Sequence, residues 1–172
     1  MRRLSGDGVT LEPQVAAHAV ELYPLLSDPE LYVYMDDKPP VSEDSLRERF
    51  TKLETRLSGD GTEHWLNWVV RNADGVAAGY VQSSVYPNRS AEIAYVVGRQ
   101  FWRRGYGRVA CEAMIGELVA SYGVERFTAT LDPQNAASLA LLKSLGFSFL
   151  SDDPSANEVT YSRVASFPQN AR

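Results

Sequence analysis

The chain's apolar positions switch between helical and strand spacing, and the switches outline its elements. Residues 9–12 read as a short first strand. Pro13 suits a first helical position, and Val15, Ala16, Ala19, Leu22 and Tyr23 then keep helical spacing until Pro24 ends or kinks the helix. A proline-punctuated linker, 27–41, carries the cluster Leu31-Tyr32-Val33-Tyr34-Met35. Ser42 is a good N-cap with acids at 43 and 44 behind it. Leu46, Phe50, Leu53 and Leu57 then make the stripe of a surface helix that stops near Gly59. Residues 64–71 alternate, with Leu66, Trp68 and Val70 on one face. A turn at 72–75 leads into the returning strand 76–86, a second turn at 87–89 into the strand 91–97. A long helical pattern fills 109–122. It is followed by a strand at 124–130, a helix at 135–145 ended by Gly146, and strands at 147–150 and 158–164. Residues 1–8 and 166–172 are expected to be mobile ends.

This order predicts an α/β (α+β) fold: a mixed central sheet of about seven strands with helices on both faces. At 172 residues, with 44% hydrophobic and 23% charged residues, the chain is expected to be one domain, 1–172, with a substantial core. A formal net charge of −5 argues against nucleic acid as a partner and permits a cationic acceptor. No apolar run has the length of a membrane span and the polar N-terminus has no signal-peptide core, so no membrane partner is expected. The single cysteine, Cys111, suits a reducing cytoplasm. It falls on the stripe of Met114, Ile115, Leu118 and Tyr122, which makes it packing rather than a nucleophile.

Candidate chemistry concentrates in Trp102-Arg103-Arg104-Gly105-Tyr106-Gly107-Arg108, between the strand 91–97 and the long helix. Two glycines, three arginines and the unpaired N–H groups of a helix start favour a bound anion. Three readings compete: a solvated basic helix start, a dinucleotide fingerprint, and a pyrophosphate cradle for coenzyme A. Gly105-x-Gly107-x-x-Ala110 fits the fingerprint, but residues 98–104 separate it from its strand. The acid about twenty residues on, Glu125, opens the next strand instead of closing it. No Gly-Lys-Ser/Thr follows, which excludes a Walker loop.

Downstream, Asn135-x-x-Ser138 and Leu145-Gly146-Phe147 complete a second constellation, with Asn135, Ser138, Leu142 and Leu145 on one helix face. Taken alone, Asn135 reads as a helix cap and Ser138 as a hydroxyl bonded back to the backbone. Together with residues 91–97 and the basic turn, these stretches resemble the GNAT superfamily of acetyl-coenzyme A-dependent N-acetyltransferases. Trp102 and the Asn-x-x-Ser pair look most like the branch that includes ribosomal-protein N-terminal acetyltransferases. The resemblance covers about 76–150 and favours the coenzyme A cradle. The segment 151–164 is short for the ribosomal members, in which it helps to shape the acceptor side.

The resemblance implies acetyl-CoA as cosubstrate, no metal, and direct attack by a primary amine. Backbone groups of Tyr95, Val96 and Val97 would pair with the pantetheine arm, and the Val96 N–H would stabilise the oxyanion. Amides of Arg103, Arg104, Gly105, Tyr106, Gly107 and Arg108 would hold the pyrophosphate. Asn135 would bond the pantetheine, Ser138 would donate to the leaving thiolate, and Glu92 would take the acceptor's proton. Glu158 is a second carboxylate candidate, and as a plain strand residue Glu92 would simply face solvent. Tyr32, Tyr34, Trp65 and Asn67 are candidates for the acceptor side, where a peptide N-terminus, an amino acid, a polyamine or an aminoglycoside would suit. Family members are often homodimers. The alternative is a non-catalytic acyl-coenzyme A-binding module.

Overall fold

A computed structural model describes residues 1–165. Eight strands form one sheet: β1 (Leu4–Gly6), β2 (Val9–Pro13), β3 (His64–Asn72), β4 (Ala77–Val85), β5 (Ser90–Val97), β6 (Arg126–Leu131), β7 (Ser148–Asp153) and β8 (Glu158–Val164). Their spatial order is β1-β2-β3-β4-β5-β6-β8-β7, and among the described residues the only parallel pair is β5 with β6. Four α-helices accompany it: α1 (Ala19–Leu26), α2 (Glu43–Leu53), α3 (Tyr106–Tyr122) and α4 (Ala136–Ser144). This is the predicted mixed α/β sheet with one strand more. The extra strand, β1, lies where a frayed start was expected. It is too short to show an alternation, and tertiary contacts hold it. Leu4 is buried, the Trp68 indole donates to the Arg2 carbonyl at 3.0 Å, and the Arg2 guanidinium pairs with Glu117 of α3 at 2.7 Å.

Pro13 is the last residue of β2 and not the first of a helix; it pairs with Trp68. Gln14 N–H donates to the Asn67 carbonyl, so the Pro13 nitrogen turns away from β3, past the end of β1, where a missing N–H breaks no ladder bond. α1 starts later, at Ala19, and runs through Pro24, an exposed position, to Leu26. Ser42 caps α2 as predicted, its hydroxyl accepting from Ser45 N–H at 3.1 Å. α2 ends at Leu53, short of the expected Gly59. β7 runs beyond residue 150 because its extent is set by pairing with β8, which its polar end, Ser151 to Asp153, conceals from any apolar count. Residues 166–172 lie outside the described residues.

The register divides side chains between two faces. Leu66, Trp68 and Val70 of β3, Val81 of β4 and Ile93 of β5 lie on the face that packs under α3, against Met114 and Leu118. Asn67, Tyr80 and Gln82 lie on the other face, under α1 and α2, with Leu26, Leu46 and Phe50 above them. Each fully buried aliphatic or aromatic side chain contributes about 1.5–3 kcal/mol. The two layers are therefore what hold the strands in register, and the register decides which groups reach the site.

Candidate active site

The site begins where β5 loses a neighbour. Gly98 N–H donates to the Ala78 carbonyl at 2.8 Å and Tyr86 N–H to the Ser90 carbonyl at 2.9 Å. Even-numbered residues of β5 therefore exchange ladder bonds with β4, and odd-numbered residues turn their N–H and C=O the other way. On that other side β6 pairs only with Ser90, Ala91 and Glu92. β6 continues to Leu131 with β8 as its partner, and beyond Glu92 the two parallel strands diverge. The backbone groups of Tyr95 and Val97 face this opening. The Val96 amide, expected to serve an oxyanion, is directed at Tyr80 of β4 instead.

The N-terminus of α3 closes one end of the opening. Arg103 (φ 59°) and Gly105 (φ 78°) both take the left-handed conformation, and that reversal turns the chain into the helix. Gly107 serves a different purpose. A Cβ there would stand 3.1 Å from Leu141 Cδ1 of α4 and 3.6 Å from Val97 Cγ2 of β5, so three elements converge on its bare backbone. The first helical bond of α3 is Val109 N–H to the Gly105 carbonyl, and the amides of residues 103–108 have no acceptor among the described residues. No acid stands in the first turn. Arg103 and Arg104 make no ion pair among the described residues, whereas the Arg108 guanidinium is committed to Glu112 at 3.0 Å. Free amides, a helix N-terminus and two guanidinium groups without ion pairs, that of Arg104 lying 6.0 Å from the Phe101 ring centroid, fit a pyrophosphate.

α4 forms the facing wall. The Asn135 side-chain oxygen accepts from Ser138 N–H at 3.1 Å, so it caps the helix, as its local sequence context indicated. The Tyr95 hydroxyl crosses the opening and donates to the Ser138 carbonyl at 3.2 Å; burial holds this phenol far above its ordinary pKa. The Ser138 side chain lies beside the Tyr95 phenol, and the Trp102 indole donates to the Val97 carbonyl at 2.7 Å. Trp102 thus already occupies one of the gap-facing carbonyls. Cys111 is fully buried on α3 with its thiol pushed far up by burial, which excludes it as a nucleophile.

Glu92 is exposed on the opposite sheet face, in the last β5–β6 pair before the divergence, with the Tyr86 hydroxyl 3.4 Å from its Oε2. Its register partner is Ser84, which pairs in turn with Trp65; one row further along, Asn67, Gln82 and Ala94 stand side by side. Of the acceptor-side candidates, Tyr32 and Asn67 meet in one cavity under α1 and α2. Trp65 shares their face and bonds Glu63 at 3.0 Å, whereas Tyr34 is exposed and outside that lining. Sequence reasoning missed Gln14, Tyr80, Gln82 and Arg49, which line the same cavity. Only the hairpin alternation of β4 hinted at Tyr80 and Gln82. Glu158 opens β8 and pairs with Asp153. Among the described residues no cluster of three or more His, Cys, Asp or Glu is placed to hold a metal. No helix among the described residues is long and apolar enough to cross a membrane.

A sheet splayed beside a helix start with unpaired amides defines the class, and residues 9–148 match the acetyltransferase (GNAT) domain family. The chain belongs to that family and is an acyltransferase, a GNAT N-acetyltransferase. It is 28% identical over 148 residues to "Uncharacterized N-acetyltransferase p20" of Bacillus licheniformis, covering 86% of this chain and 83% of that one. Among solved structures it is similar to RimL, a ribosomal L7/L12 alpha-N-protein acetyltransferase in complex with coenzyme A. The TM-score is 0.84 at 17% identity, over 95% of this chain and 98% of that one. It is also similar to the ribosomal-protein-S5-alanine acetyltransferase of Vibrio fischeri, with TM-score 0.81 at 15% identity, over 95% and 97% of the two chains.

Proposed function

We propose that the protein moves an acetyl group from acetyl-CoA to a primary amine by direct attack within a ternary complex. The observation that carries this reading is the coincidence of two sets of free backbone groups. The gap-facing N–H and C=O of Tyr95, the N–H of Val97 and the amides of residues 103–108 meet where Gly107 touches β5 and α4. The amides of 103–108, with the Arg103 and Arg104 side chains, would hold the pyrophosphate. The Tyr95 and Val97 backbone would align the pantetheine arm, and their N–H groups take over the oxyanion role expected of Val96. The bound cosubstrate supplies an activated thioester. Ser138, beside the Tyr95 phenol, donates its hydroxyl proton to the departing sulfur, and the Asn135 NH₂, not used in capping, remains for the pantetheine. Glu92 takes the proton of the arriving ammonium, directly or through water. With Cys111 inert, no acyl-enzyme forms. RimL and the S5-alanine enzyme, by their names, acetylate ribosomal proteins, which puts a protein N-terminus among the acceptors to be tried; a cytoplasmic location belongs to the same reading.

Acetyl-CoA should raise the melting temperature, because it binds only the folded cradle. Free thiol should appear when the right amine is added. A thermal shift without thiol release from any amine would mark a binding module instead. A shift with nicotinamide dinucleotides and none with acetyl-CoA would revive the dinucleotide reading.

A further inference from the structure

Between β5 and α3, Phe101 is buried with its ring beside Tyr106, whereas the next residue, Trp102, is 48% exposed. Half of the indole stays in water, so burial alone does not account for a tryptophan there. The contact it does make is polar. Its N–H donates to the Val97 carbonyl at 2.7 Å, at the short limit for such a bond. The segment that carries it is tied down as well. Gly98 N–H donates to the Ala78 carbonyl at 2.8 Å, Phe101 N–H to the Gly98 carbonyl at 2.8 Å, and Trp102 N–H to the Arg99 carbonyl at 3.2 Å. A Cβ at Gly98 would stand 2.7 Å from Leu25 Cδ1 of α1, so the end of the strand is clamped from the helix side too. The fold therefore sets where the indole sits.

Val97 is the last residue of β5, and its carbonyl faces the opening. The Tyr95 and Val97 carbonyls are two residues apart, about 7 Å along the strand. A bare strand edge repeats itself at that interval, and without a side-chain pattern to read it specifies register weakly. An arm with two amides, laid along such an edge, would pair at Tyr95 or slip to Val97. The slip runs toward α3, away from Glu92, and leaves the sulfur short of Ser138. A count of acceptors shows what the indole changes. The Val96 carbonyl is turned to β4, the Gly98 carbonyl is taken by Phe101, and the Arg99 carbonyl by Trp102 itself. With the indole on Val97, no backbone carbonyl from Val96 to Arg99 is open to the gap. The Tyr95 carbonyl and the Val97 N–H are left as one acceptor and one donor flanking Val96, and they fit one amide register.

We propose that Trp102 is a positioning residue: its indole closes the Val97 carbonyl so that the pantetheine arm pairs with β5 in a single register, the one that brings the sulfur to Ser138. This rests on the acetyltransferase reading above. The test needs no acceptor amine. Ser138→Cys supplies a thiol where that register puts the coenzyme's sulfur, and the native Cys111 is buried and inert. The probe is coenzyme A activated as its 2-pyridyl mixed disulfide. The introduced thiolate attacks the coenzyme's sulfur, a new S–S bond forms, and pyridine-2-thione leaves and is followed by its absorbance. Adding Trp102→Phe should lower the rate at saturating probe by about fivefold or more, because slipped complexes bind without reacting. The half-saturating concentration should stay the same or fall. Trp102→Phe alone should melt close to wild type, since the freed carbonyl faces the gap and water can reach it. A second readout leaves chemistry aside. In protein labelled with nitrogen-15 tryptophan, the Trp102 indole signal is the one lost in Trp102→Phe, and in wild type it should keep slow exchange with water when coenzyme A saturates the site. Faster exchange on binding would mean that the coenzyme displaces the indole, and would overturn the proposal. So would an unchanged saturating rate, a variant that melts far below wild type, or no reaction of the introduced thiol with Trp102 in place despite a coenzyme A thermal shift. Absence of any acetyl-CoA thermal shift in wild type would instead overturn the acetyltransferase reading, and the register with it.

Discussion

Two side chains divide the proposed proton chemistry, and they approach from opposite faces of the sheet. Glu92 stands on the even-numbered face of β5 with Ala94 and Val96, at the last pair before the strands diverge. Ser138 comes from α4, on the side of Tyr95. A coenzyme thiolate is a tolerable leaving group, so the base should matter more than the acid. Glu92→Gln should lower kcat, retain the acetyl-CoA thermal shift, and alter the acidic limb of the pH–rate profile. Ser138→Ala should cost about tenfold to a hundredfold in kcat, within or below what a general acid contributes. An unchanged rate and pH profile in Glu92→Gln would return that residue to an ordinary strand position. Both residues could be proposed from the sequence because each belongs to a short local pattern. Whether the amide of residue 95, 96 or 97 faces the opening depends on hydrogen-bond phase with β4, which no local pattern records.

At the scale of elements, the cradle is a junction of β5, α3 and α4 around one glycine. Both glycines of the turn were legible as punctuation, but their distinct duties were not. Gly105 supplies a left-handed residue with open space around it, whereas Gly107 supplies contact. A valine at 107 would carry its γ carbons into Leu141 and Val97. Gly107→Val should therefore lose both the acetyl-CoA thermal shift and about 1–3 kcal/mol of stability, the usual cost of overpacking. Replacing Arg103 and Arg104 together by alanine should weaken the shift while leaving the melting temperature of the free protein close to wild type, since both are exposed. A full shift in the double variant, measured by the same thermal scan, would show that amides alone hold the phosphates.

Over the whole molecule, the N-terminal strand ties the first residues to the long helix. Arg2 holds the Glu117 carboxyl below its ordinary range, chiefly through their hydrogen bond, although Glu117 itself is buried. Its folded-state pKa is depressed, so this stabilisation is complete above the unfolded carboxylate value, about pH 4.3, and is lost as pH falls through the lower folded value. Glu12, held low by its hydrogen bond to Arg71, adds to the same acid sensitivity. Glu117→Gln should melt below wild type at neutral pH, and the gap should shrink as the solution is taken below about pH 4. A gap independent of pH, in melting curves across that range, would mean that the pair contributes packing only.

Periodicity, caps and turn residues by themselves determined the order of the elements, the buried stripe holding Cys111, and the basic turn at the start of α3. These are properties of three to eight neighbouring residues, and short-range sterics and amphipathicity write them directly into the chain. Tertiary structure alone decided the eighth strand, since three residues carry too little pattern to be read without Arg2, Trp68 and Glu117 around them. It alone decided that Pro13 closes a strand, because the end of β1 frees the proline from any ladder bond. It also decided which backbone groups face the opening and that Gln14, Asn67, Tyr80 and Gln82 share one cavity. Those side chains come from the residue after β2 and from β3 and β4, and only the register of the finished sheet brings them together.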